Sequence, residues 1–209
     1  MSLNGTIRNN LFQKSLQPSG MFRTRDFEAL GYSRQQVKRL ADRGEIERLG
    51  RGLYRLPGAE LTQHHSLAEV CKRVPQAAVC LSSALQFHNL TTQSPVEVWI
   101  LLERTARTPS FDYPPLRVFR ASGEALTAGI EEHLIEGVTM RVTNIAKTVA
   151  DCFKYRNKIG LDIAIEALKE SLRRDPHTGK RPSTREDLRR YARICRVERV
   201  MQPYLEALS

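Results

Sequence analysis

Apolar residues return along this chain in two rhythms, a helical one near 3.6 and an alternating one near 2. From Thr6 to Leu16, the residues Ile7, Leu11 and Phe12 stand at i, i+4 and i+5 and predict a helix, ended by Pro18-Ser19-Gly20. Met21-Phe22-Arg23 reads as short and extended. Thr24 is placed to cap a second helix, because its hydroxyl can accept from a first-turn amide. Asp26 and Glu28 suit that helix's dipole, Phe27 and Leu30 give it an apolar side, and Gly31 supplies a left-handed end. Ser33 caps a third helix, Arg34 to Arg43, with Val37, Leu40 and Ala41 facing inward and Gly44 closing it. The rhythm then changes. Ile46-Glu47-Arg48-Leu49 and Leu53-Tyr54-Arg55-Leu56 read as two strands around a Gly50-Arg51-Gly52 turn.

Two capped helices joined through a glycine, followed by a hairpin, predict a winged helix-turn-helix over residues 1–57, with Pro57-Gly58 as its boundary. Residues 58–209 predict a second, mixed domain, so the fold class is α+β. Glu60 to Arg73 reads as a helix, and Ser82 or Ser83 caps a short one. Val96 to Leu102 and Leu116 to Arg120 read as strands, and His133 to Val142 as two more around Gly137. These predict a small, mainly antiparallel sheet of three to five strands. Thr143 is placed to cap a helix over Asn144 to Phe153. Leu161, Ala164, Ile165, Leu168 and Leu172 form the stripe of the next. Ser183 with Glu186 reads as a capping box, and Val197, Val200, Tyr204 and Leu205 mark a last amphipathic segment.

Charge narrows the function. The 209 residues carry 33 Lys+Arg against 23 Asp+Glu, net +10, with a sequence pI of about 9.8. Such a balance fits a nucleic-acid partner, an anionic membrane, or a solvated basic protein with no polyanion partner. Residues 1–60 hold 11 cations against 6 acids, residues 61–153 hold 8 against 9, and residues 154–199 hold 14 against 7. The first basic region coincides with the helix-turn-helix. In that motif the second helix enters the major groove, where Arg and Gln can pair in two-pronged fashion with guanine and adenine edges. The predicted double-stranded DNA contacts are Arg23, Thr24, Ser33, Arg34, Gln35, Gln36, Lys38, Arg39 and Arg43, with Arg51 on the wing tip for phosphate or minor groove. A protein-binding face would carry apolar anchors instead. In the tail, Arg185, Arg189, Arg193 and Arg196 fall on one helical side. That stripe reads as a solvated face, as a second phosphate contact, or as a docking surface for an acidic partner.

Motifs for chemistry are sparse. Cys71, Cys80, Cys152 and Cys195 are scattered, which suits reduced core thiols and a cytoplasmic protein rather than a metal site. His64-His65 with Cys71 matches no ligand spacing. Lys147-Thr148 lacks the glycines of a phosphate loop, and Lys147 with Asp151 reads as an i, i+4 ion pair. His88 near Ser82 and Ser83 has no nucleophile-elbow sequence. No catalytic residue, metal or cofactor is expected. No run of 18 apolar residues predicts a membrane span, and Met1 to Leu16 lacks a signal-peptide core.

The stretch GMFRTRDFEALGYSRQQVKRLADRGEIERLGRGLYRL, Gly20 to Leu56, resembles the AbiEi family of antitoxins from bacterial type IV toxin–antitoxin systems. LSSALQFHNLTTQSPVEVWILL (Leu81 to Leu102) and VTNIAKTVADCFKYRNKIGLDIAIEAL (Val142 to Leu168) resemble that family's second domain. The resemblance implies an autorepressor that binds promoter repeats and counters a nucleotidyltransferase-like toxin without a stable complex. It places Ser33, Arg34, Gln35, Gln36, Lys38 and Arg39 in the groove and Arg51 on the wing. A stand-alone regulator without a toxin shares the architecture, and a DNA-targeted nuclease is the remaining alternative.

Overall fold

The computed structural model describes residues 21–58 and 61–208. The helix predicted for Thr6 to Leu16 lies outside these residues. The chain divides into two compact units. One extends to Pro75 and takes in His133–Met140, and the other comprises Gln76–Glu132 and Arg141–Ser209.

The first unit opens with β1 (Met21–Arg23), α1 (Thr24–Ala29) and α2 (Arg34–Asp42), followed by β2 (Glu47–Gly50) and β3 (Leu53–Arg55). The three strands form an antiparallel sheet in the order β1-β3-β2. Arg51-Gly52 is its two-residue hairpin turn. Phe27 of α1 is the hub of the small core. It is fully buried and meets the rings of Phe22, Tyr32 and Tyr54 at 5.5, 6.3 and 5.7 Å. Val37 and Leu40 of α2, with Ile46 and Leu56, complete it. Gly31 turns the chain between the helices at φ 87. There its N–H meets the Glu28 carbonyl and the Tyr32 N–H reaches back to Phe27. Those two bonds satisfy the last carbonyls of α1, and the left-handed backbone they need favours glycine. Arg23, rather than Thr24, occupies the N-cap of α1. Asp26 accepts from the Arg23 N–H at 2.7 Å, while Thr24 is the first helical residue and its N–H bonds the Gly52 carbonyl at 3.0 Å.

The unit continues past Pro57-Gly58 into α3 (His65–Arg73), a shorter helix than the pattern from Glu60 predicted. Arg73 donates to the Leu49 carbonyl at 3.2 Å and pairs with Glu69, and Lys72 meets Asp26 at 3.1 Å. Those contacts explain why turn residues at 57–58 do not end the compact unit. Glu136 accepts from the backbone and hydroxyl of Thr62 at 2.7 and 2.9 Å and faces His65 Nδ1 at 2.8 Å. Burial would raise its carboxyl, but these hydrogen bonds outweigh that and hold it below its ordinary value.

The second unit holds most of a five-stranded sheet of order β6-β5-β4-β8-β7, while the adjoining ends of β7 and β8, within His133–Met140, are counted in the first. The strands are β4 (Ala78–Val79), β5 (Val98–Glu103), β6 (Leu116–Ala121), β7 (Ile130–Ile135) and β8 (Val138–Thr143). The expectation of a mainly antiparallel sheet needs correction, because the sheet is mixed. β4 runs antiparallel to β5, but parallel to β8, and β5 runs parallel to β6. Parallel neighbours need a long connection, and the segment between Glu103 and Leu116 supplies one without a crossover helix. Helices α4 (Leu81–Phe87), α5 (Glu124–Thr127), α6 (Ile145–Lys154), α7 (Arg156–Ile159), α8 (Leu161–Leu172), α9 (Arg185–Ile194) and α10 (Glu198–Ala207) complete the unit. Central α6 packs against α4, α8 and α9.

Three further predicted caps are displaced by one residue or more. Cys80, not Ser82 or Ser83, precedes α4, and the Ser83 hydroxyl instead accepts from the Trp99 N–H at 2.9 Å. Asn144, not Thr143, caps α6 through the Lys147 N–H at 2.8 Å, which frees the Thr143 hydroxyl to pair with that of Thr148. Thr184, not Ser183, caps α9 and is answered by Asp187 rather than Glu186. At Asn144 and Thr184 a neighbouring oxygen competes for the same amides, and chain entry angle decides, whereas Cys80 makes no side-chain cap bond at all. All four cysteines are buried and unbridged.

Candidate nucleic-acid interface

The apolar spacing of α2 fixes which side chains remain outside. Val37 and Leu40 are buried and Ala41 packs on the same core. At 100° per residue, this turns Gln35, Lys38, Arg39, Asp42 and Arg43 to the opposite side, with Arg34 and Gln36 on its flanks. All seven are exposed. Asp42 is the single acid among them.

Ser33 and Gln36 form a reciprocal cap. The Ser33 hydroxyl accepts from the Gln36 N–H at 3.3 Å, and Gln36 Oε1 accepts from the Ser33 N–H at 2.8 Å. This pair builds the start of α2 and leaves the Gln36 amide nitrogen outward. Arg34 reaches back to Glu28 of α1 at 2.8 Å, and that hydrogen bond raises the already high pKa of its guanidinium. Arg43 pairs with Glu45 at 3.1 Å. Lys38, Arg39 and Arg51 have no acidic partner among the described residues. Their charges are therefore uncompensated by ion pairs and available to an anion.

Arg51 stands exposed at the tip of the β2–β3 hairpin. Arg23 and Thr24 lie lower, half-buried at the entry to α1. Burial, with Arg25 nearby, depresses the Arg23 guanidinium despite Asp26. Two further exposed cations of this unit, Arg25 and Arg48, escaped the sequence reading. Arg25 is held by the adjacent Asp26 at 3.8 Å, and Arg48 bonds the Gly50 carbonyl at 3.4 Å. Their outward setting depends on strand register and helix rotation, which the spacing alone left open.

The tail arginines divide. Arg189, Arg193 and Arg196 are exposed, and Arg193 approaches Glu198 at 3.9 Å. Arg185 is half-buried, and its guanidinium donates to the Leu205 carbonyl at 2.6 Å and to that of Leu208. It closes the C-terminal end of α10, where carbonyls lack helical partners.

An antiparallel three-stranded sheet braced by two short helices, the second of them cationic and exposed, is an architecture suited to polyanion contact. This part of the chain also carries the similarity to known proteins. Residues 14–57 match the family described as transcriptional regulator, AbiEi antitoxin. The resemblance read from Gly20 to Leu56 is thus to that family, over about a fifth of the chain. The stretches Leu81 to Leu102 and Val142 to Leu168 lie outside the match. No curated protein matches the chain. No described helix is long and apolar enough to cross a membrane.

Proposed function

We propose that the first unit is a winged helix-turn-helix that binds double-stranded DNA, and that the protein is a sequence-specific repressor of its own promoter. In this reading α2 lies in the major groove. Gln35 and Arg39 read base edges, Lys38 and Arg43 hold phosphates, Arg34 and Gln36 flank the groove, and Arg51 meets the backbone from the wing. The observation that carries the reading is the outward side of α2, where Lys38 and Arg39 stand exposed, form no ion pair among the described residues, and have Asp42 as the single acid on their side. An unpaired cation surface of this kind gains affinity by releasing counterions from DNA. The family match over residues 14–57 agrees with a regulator.

The antitoxin half of the proposal, action against a nucleotidyltransferase-like toxin, rests on the resemblance and belongs to the second unit. Restored growth when the chain is co-expressed with a neighbouring toxin gene tests it.

Gel shifts on a duplex from the chain's own upstream region test the DNA reading. Arg39→Ala is expected to weaken specific binding by roughly tenfold or more, the scale of one lost two-pronged base contact. Lys38→Ala should weaken specific and nonspecific duplexes alike and lower the salt slope by about one. Unchanged affinity and slope in both variants would remove the assigned face.

A further inference from the structure

The second unit contains an open cleft of about 860 Å³ in which cations from distant parts of the chain converge. Arg104 and Arg120 come from the edge of β5 and from β6. Lys154 and Arg156 come from the junction of α6 and α7. Arg193 and Arg196 come from the end of α9. Glu124 is the one acid in the lining. Six positive charges so gathered repel one another, and the concave wall concentrates their field.

These cations are not equally occupied. Arg120 donates to the carbonyls of Glu103 and Ala106 at 3.0 and 2.8 Å and to Thr108 at 2.8 Å, so it holds the loop while its charge remains. Arg156 gives one nitrogen to the Phe153 carbonyl at 2.9 Å. Lys154 rests 5.6 Å from the Tyr155 ring centre. Arg104 and Arg196 are exposed and form no ion pair among the described residues, although Arg104 helps to hold the neighbouring Glu103 carboxyl below its ordinary value.

Arg196 adds an independent observation. It adopts φ +60, directly after the C-cap of α9, and its N–H bonds the Arg193 carbonyl while the Val197 N–H bonds Ala192. This is the left-handed helix terminus that glycine ordinarily fills. An arginine there carries backbone strain, and such strain gathers where a side chain is needed for binding. The strained residue is also one that lines the cleft.

We propose that this cleft binds a small polyphosphate anion, of the inorganic tripolyphosphate or nucleoside triphosphate class. Guanidinium forks match phosphate oxygens in pairs. The volume lies within the range of small-ligand sites. No aromatic side chain lines it and its apolar wall is limited to residues such as Ala125 and Ile194, so the anchors of a protein partner are missing. The proposal is independent of the DNA reading, since none of its residues belongs to the first unit.

Isothermal titration of the full chain with inorganic tripolyphosphate tests it. Binding is expected to weaken at least fivefold in Arg104→Ala and in Arg196→Gly, and to be unchanged in Lys169→Ala, an exposed cation outside the cleft. Arg196→Gly is the decisive variant, because glycine relieves the left-handed strain. Its Tm should hold or rise while affinity falls, which a merely structural role would not produce. Adenosine triphosphate binding more tightly than tripolyphosphate identifies a nucleotide ligand, and equal binding identifies a simple polyphosphate. Both outcomes support the site. Absence of binding, binding untouched by the Arg104 and Arg196 variants, or tighter binding of an acidic peptide than of tripolyphosphate would overturn it.

Discussion

Lys147 is fully buried on α6, and Asp151, one turn later, is 3 % exposed. The two are ion-paired, and Asp151 also accepts from the Cys195 thiol at 3.3 Å. Asp151→Asn keeps the shape but strips the carboxylate from a buried ammonium. Removing one partner of a buried pair costs about 3–5 kcal/mol. A domain of ordinary stability holds about 5–15 kcal/mol in total, so the variant should lose roughly a fifth of that or more. At about 2–4 °C per kcal/mol for a chain of this size, the expected fall in Tm is roughly 6–20 °C. The paired replacement Lys147→Met with Asp151→Leu removes both charges, and such swaps are often neutral or stabilising. It should recover most of the loss. Burial lowers the Lys147 pKa, but Asp151 outweighs it and leaves the group above 10.5. The charged form is therefore favoured by folding. Its contribution is complete below the unfolded value near 10.5 and is lost as pH rises through the higher folded value. Chemical denaturation at pH 7 and in the alkaline range measures this. An Asp151→Asn cost below about 1 kcal/mol would mean that the ammonium reaches water, and the reasoning would fail.

Two further predictions follow from local geometry. A Cβ at Gly129, where φ is +71, would meet the Tyr191 ring at 2.8 Å and Lys147 Cβ at 2.9 Å, whereas at Gly179, φ +67, it meets nothing. Gly179→Ala should cost only the left-handed penalty, roughly 1–2 kcal/mol, while Gly129→Ala adds about 1–3 kcal/mol of overpacking. Equal costs in denaturant melts would refute the difference. Glu136→Gln removes a carboxylate whose folded pKa is depressed. The stability it contributes, about 1 kcal/mol at a partly exposed site, is present above pH 4.5. It disappears as pH falls through the lower folded value, so wild-type and variant melting curves should converge in acid.

The legible part of the molecule is the part whose causes are local. Ser33, Gly31 and Gly44 mark ends of α1 and α2 because a hydroxyl near a first turn and a left-handed residue after a last turn act within a few residues. The inward set Val37, Leu40 and Ala41 follows from helical period alone, and with it the outward cations of α2. The same locality gave the Arg51-Gly52 hairpin. Where two oxygens compete for one turn, as with Ser183 and Thr184 or Thr143 and Asn144, pattern located the helix but not the cap.

Sequence by itself determined the start of α2 at Ser33, the cationic face of that helix and the i, i+4 spacing of Lys147 with Asp151. Tertiary structure alone decided that this pair is buried, that β5 and β6 run parallel, and that Arg185 closes α10 rather than joining an open stripe. It alone gathered Arg104, Arg120, Lys154 and Arg156 with Arg193 and Arg196 around one cleft. The reason is physical. A hydrogen bond to a neighbouring amide is encoded within one turn of chain, whereas burial, strand direction and the meeting of distant charges arise only when separated segments pack together.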